Sequence, residues 1–377
     1  MVRTTFIGGS QGDDGFSVAT APGGDGVYVA GYAYSSDFPS TEGSVQEDSA
    51  GDQDLFVALF NTSLSELSAA TYFGGTSREY GGAIAVHPES GKIYLAGMTW
   101  STSLPNAVGF QKSHGGGNQD AFVTMLNADL SGPPVTSFLV GSADDAGIAI
   151  AIHDVPELAN YGEVYVGGRT ASTDFPQTTG SFQETRGGVE NPQGIWTDVF
   201  VSRISADLST HYQSTYLGGT LAEELAVDAH GTALAVHPVT GGIFVTGFTQ
   251  SNTIPGFAGA IVGQFDALLG QLNPELTELV AGTYVGGNDQ DMASALTILP
   301  ADDPSDPEVF IIGRTKSVDF FINPQPAAFQ ETYPGGNFSA FIAGFTSEYL
   351  SGNHVMVALT YLGGSGDDRG YGIAADP

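Results

Sequence analysis

Short runs in which apolar and polar residues alternate follow one another along the whole chain, separated by Gly, Pro, Asn and Asp. β-Branched and aromatic residues in such runs are typical of β-strands rather than helices. Four kinds of run recur in a fixed order. They are a small-residue run (GGAIAVH), a run ending in glycine (KIYLAG), a run opening on Asp (DAFVTML) and a Thr-aromatic element (TYLGG). The pattern predicts an all-β protein built from groups of four strands.

The Thr-aromatic element marks the repeats. It begins at Thr5, Thr71, Ser137, Thr215, Thr283 and Thr360. The repeats cover approximately residues 5–70, 71–136, 137–214, 215–282 and 283–359, with a partial sixth at 360–377. Four antiparallel strands with a period of about 66 to 78 residues are typical of a β-propeller, where each repeat forms one blade. We therefore predict a single β-propeller domain over residues 1–377, with a solenoid of stacked sheets as the alternative.

Longer motifs carry a family resemblance. The segments TYLGGSGDDRGYGIAADP, VYVAGYAYSSDFP, GSFQET and GGNQDAFVTMLN resemble the bacterial β-propeller repeat called SBBP, and the resemblance covers essentially the whole chain. Members of that family are typically large exported or cell-surface proteins with mostly unassigned biochemical roles. The resemblance implies a propeller fold and a secreted or cell-surface location. It also suggests seven blades, whereas this chain has five whole repeats.

The two ends of the chain use the same elements. The chain opens with a fourth-type run, MVRTTFIGG, and closes with the fourth-type run at Thr360 followed by the small-residue run GYGIAAD. In a ring of five or six blades at least one terminal strand is surplus, and an unpaired strand edge is a template for pairing. We predict head-to-tail self-association in which the C-terminal strand completes a blade of the next subunit. The alternative is an excerpt from a longer repeat protein.

The charge narrows the choice of partners. The chain has 42 acidic residues against 10 basic ones, a net charge of −32. Such a chain lacks the Lys and Arg clusters that bind phosphates, which argues against a nucleic-acid partner. No run of 18 apolar residues predicts a membrane span. Because clustered carboxylates repel one another, we expect salt to raise stability until screening is complete.

Acidic turns follow the glycine pairs of the repeats. Carboxylates grouped in glycine-rich loops are good ligands for hard cations such as Ca²⁺. The candidate ligands are Asp13, Asp14, Asp144, Asp145, Asp289, Asp291, Asp367 and Asp368. No segment has the Asp-x-Asp-x-Asp-Gly spacing of a calcium loop, so the alternative is a set of solvated, hydrogen-bonded turns without a metal.

Two other recurring positions predict structural roles. An Asp opens the third strand in four repeats (Asp54, Asp120, Asp198 and Asp266), and Ser339 takes this place in the fifth. A carboxylate there is expected to accept N–H groups of the preceding loop. A glycine closes the second strand of every repeat (Gly31, Gly97, Gly168, Gly247 and Gly313). These glycines predict a close approach of neighbouring backbone.

Sequence signals for catalysis are few. The chain has no His-Glu-x-x-His, phosphate loop or nucleophile elbow. His87 and His237 occupy equivalent repeat positions, which favours a structural role for both. We predict an extracellular structural or adhesive module without enzymatic activity. One alternative is a glycan-binding propeller that uses Tyr34, Trp100 and Trp196, three residues not expected to be equivalent across the repeats. A less favoured alternative is a glycoside-active enzyme, although acids in every repeat single out no catalytic pair.

Overall fold

The fold was analysed in a computed structural model that describes residues 3–188, 197–224, 233–299, 308–320, 328–346 and 355–375. These residues form antiparallel β-sheets, and none of them lies in a helix. No helix of the described part is long and apolar enough to cross a membrane. The predicted all-β class is therefore confirmed.

The strands form five consecutive sheets. Sheet 1 contains β1 (Asp13–Thr20), β2 (Gly26–Ala33), β3 (Asp54–Asn61) and β4 (Leu67–Phe73). Sheet 2 contains β5 (Glu79–Val86), β6 (Ile93–Thr99), β7 (Asp120–Leu126) and β8 (Val135–Phe138). Sheet 3 contains β9 (Asp145–Ile152), β10 (Val164–Thr170), β11 (Asp198–Ile204) and β12 (His211–Leu217).

Sheet 4 contains β13 (Glu223–Glu224), β14 (Leu234–Val236), β15 (Ile243–Thr249), β16 (Asp266–Leu272) and β17 (Leu279–Val285). Both β13 and β14 pair with β15, in the place that one strand has in the other sheets. Sheet 5 contains β18 (Asp291–Ile298), β19 (Val309–Thr315), β20 (Ser339–Thr346) and β21 (Val355–Leu362).

Within each sheet the strands pair in chain order, from the small-residue strand to the Thr-aromatic strand. This is the four-strand unit that the sequence predicts. The sheets are offset from the sequence repeats, because each Thr-aromatic element from Thr71 onward closes one sheet and does not open the next. Thr71, for example, begins a repeat but lies in β4 of sheet 1. The five sheets are established, whereas closure of the sheets into a propeller stays a prediction.

The central strands carry the core. Every residue of β6 and β16 is buried. Strands covered on both faces need apolar side chains on both, which explains runs such as IYLAGMT that lack strict alternation. The largest buried side chains are the aromatic residues of the second, third and fourth strands, among them Tyr94, Phe122 and Tyr361.

A β-bulge explains the glycine of the second strand. The β1–β2 register shifts between Gly15 and Ser17, and the β18–β19 register shifts between Ala293 and Ala295. A bulge turns backbone groups of the first strand toward the second. A Cβ on Gly31 would lie 1.9 Å from the Asp14 carbonyl oxygen, so only glycine fits there. The equivalent Cβ positions on Gly97 and Gly313 lie 2.8 Å and 1.9 Å from carbonyl oxygens of β5 and β18. Gly168 pairs with Gly147, and Gly247 pairs with Leu268.

The terminal elements differ from the prediction. Residues 3–12 and 363–375 contain no strand, whereas β21 takes the fourth place in sheet 5. Neither terminal run is paired as a strand in the described residues, and self-association through the terminal segments stays a prediction. The C-terminal segment is nevertheless attached to sheet 5: the N–H of Asp368 donates to the Phe338 carbonyl at 2.9 Å, and the N–H of Gly370 donates to the Gly313 carbonyl at 3.1 Å.

The chain divides into two compact units. One unit contains Met1–Ile152, Gly162–Pro176 and Arg203–Tyr212. The other contains His153–Tyr161, Gln177–Ser202 and Gln213–Pro377. The first unit holds all of sheets 1 and 2, and the second holds all of sheets 4 and 5. Each of the local sites below lies within a single unit.

Candidate functional site

The acidic turns before sheets 1, 2, 3 and 5 and the turn after β21 each fold around their own carboxylate. A glycine donates its N–H to the acid four residues further along the chain, in Gly9–Asp13, Gly75–Glu79, Gly141–Asp145, Gly287–Asp291 and Gly364–Asp368. These distances run from 2.7 to 2.9 Å. The carboxylate therefore fixes the shape of the turn, in the manner of a side-chain capped turn.

A serine beyond the second strand completes this turn. The hydroxyls of Ser35, Ser172 and Ser317 donate to Asp13, Asp145 and Asp291 at 2.8, 2.9 and 2.8 Å. The same serine oxygens also accept backbone N–H groups of the turn, as Ser172 Oγ does from Ala143. A Cβ on the donating glycine of these three turns would strike this serine: on Gly141 it would lie 2.5 Å from Ser172 Cβ. Packing therefore requires glycine at Gly9, Gly141 and Gly287.

The acids that open the third strands bind the loop before them. Asp54, Asp120 and Asp198 accept N–H groups of Ala50, Gly115 and Gly187 at 2.6, 2.6 and 2.7 Å. Asp266 accepts from Val262 at 2.9 Å. Ser339 instead donates its hydroxyl to the Gly335 carbonyl at 3.3 Å. This is the loop-to-strand attachment that the sequence suggests for these positions, with the direction of the bond reversed at the serine.

The two sets of acids meet in pairs between consecutive sheets. Asp54 Oδ1 and Glu79 Oε2 both lie within 2.3 Å of the position that a Cβ on Gly74 would take. Both residues are 0% exposed. The same arrangement recurs where Asp266 and Asp291 flank Gly286. At Gly74 and Gly286 two carboxyl groups fill the space that a side chain would take, so only glycine fits at these positions.

Burial changes the acidity of these groups. It raises the pKa of Glu79 and Asp145 to about 7, and that of Asp120, Asp198 and Asp291 to about 6. Hydrogen bonds from the turns oppose this rise but do not cancel it. One oxygen remains without a hydrogen-bond partner on each of Asp54, Asp120, Asp145, Asp198 and Asp291. Two buried carboxylates that face each other with no cation between them favour uptake of a proton.

The eight candidate calcium ligands do not form one site. Asp13, Asp145, Asp291 and Asp368 are the turn-forming acids described above. The others lie beside them: Asp14 accepts the Tyr32 hydroxyl at 2.7 Å, and Asp144 and Asp367 accept the N–H groups of Asn118 and Asn337 at 2.6 Å. The N–H of Asp289 donates to Ser317 Oγ. Among the described residues, no group of three or more His, Cys, Asp or Glu side chains could hold a metal ion.

The equivalent histidines support turns. His87 Nδ1 accepts the N–H groups of Glu89 and Ser90, both at 3.3 Å, and His237 Nδ1 accepts those of Val239 and Thr240 at 3.1 and 3.2 Å. Burial lowers the pKa of His237. Each imidazole accepts two backbone N–H groups through Nδ1, so the two histidines support equivalent turns.

An aromatic cluster in the first unit stands apart from this structural network. Phe16, Tyr32, Tyr34 and Tyr80 touch one another with ring centroids 4.8 to 5.6 Å apart. Tyr34 is 40% exposed, and the other three rings are half-buried. The Tyr32 hydroxyl donates to Asp14, which adds a carboxylate to the edge of the cluster. We call these four rings with Asp14 the aromatic cluster.

Trp100 occupies the position in sheet 2 that Tyr34 has in sheet 1. Each follows the second strand, and each N–H donates to the turn before the first strand: Tyr34 to the Gly12 carbonyl, Trp100 to the Arg78 carbonyl. The expectation that the candidate glycan-binding aromatics are not equivalent is therefore wrong for this pair. Trp100 is 37% exposed. Trp196 lies outside the described residues.

Sequence reasoning missed the rest of the aromatic cluster. Phe16 and Tyr80 belong to first strands, where the other repeats mostly have small residues, and Tyr32 pairs directly with Asp14 across β1 and β2. The sequence did contain a signal for this cluster. Phe16 in β1 and Tyr80 in β5 are large aromatic residues in strands of the small-residue type.

Comparisons with known proteins add little. No family model matches the chain, and no curated protein matches it, so the resemblance to the SBBP repeat stays a prediction. Among solved structures the chain is similar to hydrazine synthase of Kuenenia stuttgartiensis, with 10% identity, a TM-score of 0.42, and coverage of 94% of this chain and 68% of that one. It is also similar to CoXyl43, a GH43 β-xylosidase/α-arabinofuranosidase from a compost microbial metagenome, with 10% identity, a TM-score of 0.34, and coverage of 94% and 99%. Likenesses this low indicate nothing about function.

Proposed function

We propose that this protein is an adhesive β-propeller module of the cell exterior that binds carbohydrate at the aromatic cluster and at Trp100. One observation carries the proposal. Exposed rings lie at equivalent positions of adjacent sheets, Tyr34 and Trp100, each directly after a second strand. The Tyr34 ring contacts Tyr32, whose hydroxyl donates to the carboxylate of Asp14. Flat aromatic faces next to hydrogen-bonding groups suit amphipathic ligands, because one side of a sugar ring is apolar and its rim carries hydroxyls.

The buried network argues for binding without catalysis. A glycosidase needs two carboxyl groups that reach the substrate. The two pairs found above in the described residues, Asp54 with Glu79 and Asp266 with Asp291, are at most 1% exposed, so a sugar cannot reach them. Adhesion requires only a presented surface on a rigid frame, which the repeated turns supply. The acidic surface disfavours anionic polysaccharides, so the expected ligands are neutral or cationic glycans.

A glycan array with the full chain tests the proposal. We expect binding to a restricted set of neutral or amino-sugar glycans. Trp100→Ala and Tyr34→Ala should each weaken binding at least about tenfold, which is the loss of one good aromatic contact. Tyr34→Phe keeps the ring and should retain most of the affinity. In a Trp196→Phe background Trp100 is the sole tryptophan, so its fluorescence reports occupancy directly.

The matched control is Tyr212→Ala, which removes an aromatic side chain that is 43% exposed and lies outside the cluster. It should bind as the unaltered protein does. Equal loss in Tyr212→Ala and Tyr34→Ala would indicate general destabilisation. An array without hits, or hits that Tyr34→Ala and Trp100→Ala both retain in full, would exclude a carbohydrate site at the aromatic cluster and Trp100.

A further inference from the structure

A buried histidine directly after the first strand of a sheet reaches the next sheet at two junctions. His87 follows β5, and its Nε2 lies 2.8 Å from the position that a Cβ on Gly162 would take. His153 follows β9, and its Nε2 lies 2.3 Å from the corresponding position on Gly241. Each glycine belongs to the turn before the second strand of the following sheet. The imidazole therefore fills the space between the two sheets.

Sheet 1 has an alanine, Ala21, at the position of these histidines, directly after β1. The Ala21 N–H donates to the Gly26 carbonyl at 2.9 Å, as the His87 N–H donates to the Lys92 carbonyl at 2.8 Å. Gly91 of sheet 2 is the facing glycine, and a Cβ there would meet no atom closer than 3.4 Å. A methyl group does not fill the space of an imidazole, and a cavity of about 410 Å³ lined by Ala21 and Gly91 lies here. This volume is that of a small-molecule site.

The cavity is formed by sheets 1 and 2, which belong to the same compact unit. Its apolar walls include the rings of Tyr28 and Phe60, which are 2% and 5% exposed. The Tyr28 hydroxyl donates to the Ala128 carbonyl at 2.8 Å, as the Tyr94 hydroxyl donates to the Ala206 carbonyl at the next junction at 2.6 Å. Because the two junctions share this bond, the cavity is a preformed site within ordinary packing between sheets.

Two exposed carboxylates, Asp25 and Glu89, also line the cavity. Neither has an ion-pair partner among the residues that the structure describes. Lys92, which follows Gly91, donates its ammonium group to Asn127 Oδ1 and is not part of the lining. Aromatic walls and carboxylates both attract an ammonium group, so the lining complements an organic cation with an apolar body.

We propose that this cavity binds a small aromatic amine in its ammonium form. The ring of the ligand enters the space that an imidazole fills at the next two junctions, and its ammonium group lies toward Asp25 and Glu89. The site is distinct from the proposed carbohydrate site, because Tyr34 follows the opposite end of β2. Binding of the amine does not depend on binding of a glycan.

Calorimetric titration of the full chain with 2-phenylethylammonium chloride tests the proposal at pH 7 and low salt. A ligand of this size is expected to bind with a Kd of about 0.1–1 mM. The neutral analogue 2-phenylethanol should bind at least about fivefold more weakly, because it lacks the charge that faces the two acids. The anion 3-phenylpropionate should not bind. Equal affinity for the ammonium ion and the alcohol would overturn the proposal, as would the absence of saturable binding up to about 10 mM.

Two variants locate the site. Ala21→His installs the side chain that sheets 2, 3 and 4 have at this position. It should weaken binding more than about tenfold without lowering the melting temperature. Asp25→Asn combined with Glu89→Gln alters only exposed side chains, and it should weaken binding of the ammonium ion about tenfold while leaving that of 2-phenylethanol unchanged.

The matched control is Asp48→Asn, which removes an exposed acid of the first unit outside the cavity. It should bind the amine as the unaltered protein does, and so should Tyr34→Ala. Full binding by a folded Ala21→His would show that the ligand lies elsewhere and overturn the proposal. If Ala21→His does not fold, the double variant decides, since unchanged affinity there would overturn the proposal equally.

Discussion

Replacing Glu79 with Gln should make the protein more stable at neutral pH and reduce its dependence on pH. Glu79 faces Asp54 across Gly74, and the other groups that contact the pair are neutral hydroxyl, amide and backbone donors, such as Thr99 Oγ1 and Gln46 Nε2. No cation contacts either carboxyl group in the described residues. The Glu79→Gln substitution keeps a neutral group of the same shape at this position, as a protonated Glu79 does.

The expected size follows from the pKa of Glu79. Burial raises this pKa from an ordinary value of 4.5 to about 7. A group whose pKa is higher in the folded state stabilises the fold fully below its unfolded pKa, and this contribution is lost as pH rises through the folded pKa. The rise corresponds to at most about 3 kcal/mol, present at pH 4 and lost by pH 8. Glu79→Gln should therefore match the unaltered protein at pH 4 and exceed it at pH 8.

Urea unfolding at pH 4.5, 6 and 8 measures this difference. The matched control is Glu66→Gln, since Glu66 is exposed in the turn before β4, and it should leave the pH dependence unchanged. If Glu79→Gln is no more stable than the unaltered protein at pH 8, the pair does not hold a shared proton. If Ca²⁺ stabilises the unaltered protein at pH 8 but not Glu79→Gln, a cation rather than a proton occupies the pair.

Three further outcomes are expected. Gly75→Ala should lower the free energy of unfolding by about 1–3 kcal/mol, because its Cβ would lie 2.4 Å from the Ser103 carbonyl oxygen. Gly364 has the same motif position but no atom within 4 Å of such a Cβ, so Gly364→Ala should be nearly neutral in denaturant unfolding. Equal effects of the two would contradict the packing account. Tyr72→Phe should cost about 1–3 kcal/mol, since its hydroxyl donates to the Ser35 carbonyl at 2.7 Å and accepts the Phe38 N–H at 2.8 Å; an unchanged unfolding midpoint would refute this. The melting temperature should rise from low to physiological NaCl because the net charge is −32; a salt-independent value would show that surface repulsion is unimportant.

The strands were predictable because the same four strand patterns recur in every repeat. A single apolar run could belong to a strand or to a buried helix, but five aligned copies with alternating residues favour a strand. The phase of the sheets was harder. Thr71 sits close in sequence to the next small-residue strand, yet the turn at Gly74 and Gly75 separates them, and the Tyr72 hydroxyl ties the strand to the loop of its own sheet.

The buried carboxyl pairs could not be predicted from one sequence. Asp54 and Glu79 each look like a turn residue of an acidic loop, and a sequence does not show that both point at the same glycine. The spacing does give one indication, because the second glycine of a Gly-Gly sequence stands four residues before Glu79 and four residues before Asp291. The aromatic cluster could not be predicted from the repeat pattern because Phe16 and Tyr80 depart from that pattern. Comparing only the positions that the repeats share does not identify such residues.

Salt and pH should act on different parts of this molecule, and the difference can be measured. The surface carboxylates are exposed to solvent, so their repulsion is screened within about 10 Å at 0.1 M salt. The pair of Asp54 and Glu79 is fully buried, and salt screens buried charges much less. The loss of stability between pH 4.5 and 8 should therefore persist in 1 M NaCl, after the salt effect at constant pH has reached its plateau. If high salt removes the pH dependence as well, the titrating groups lie at the surface, and the rise of pKa does not arise from carboxyl groups buried between the sheets.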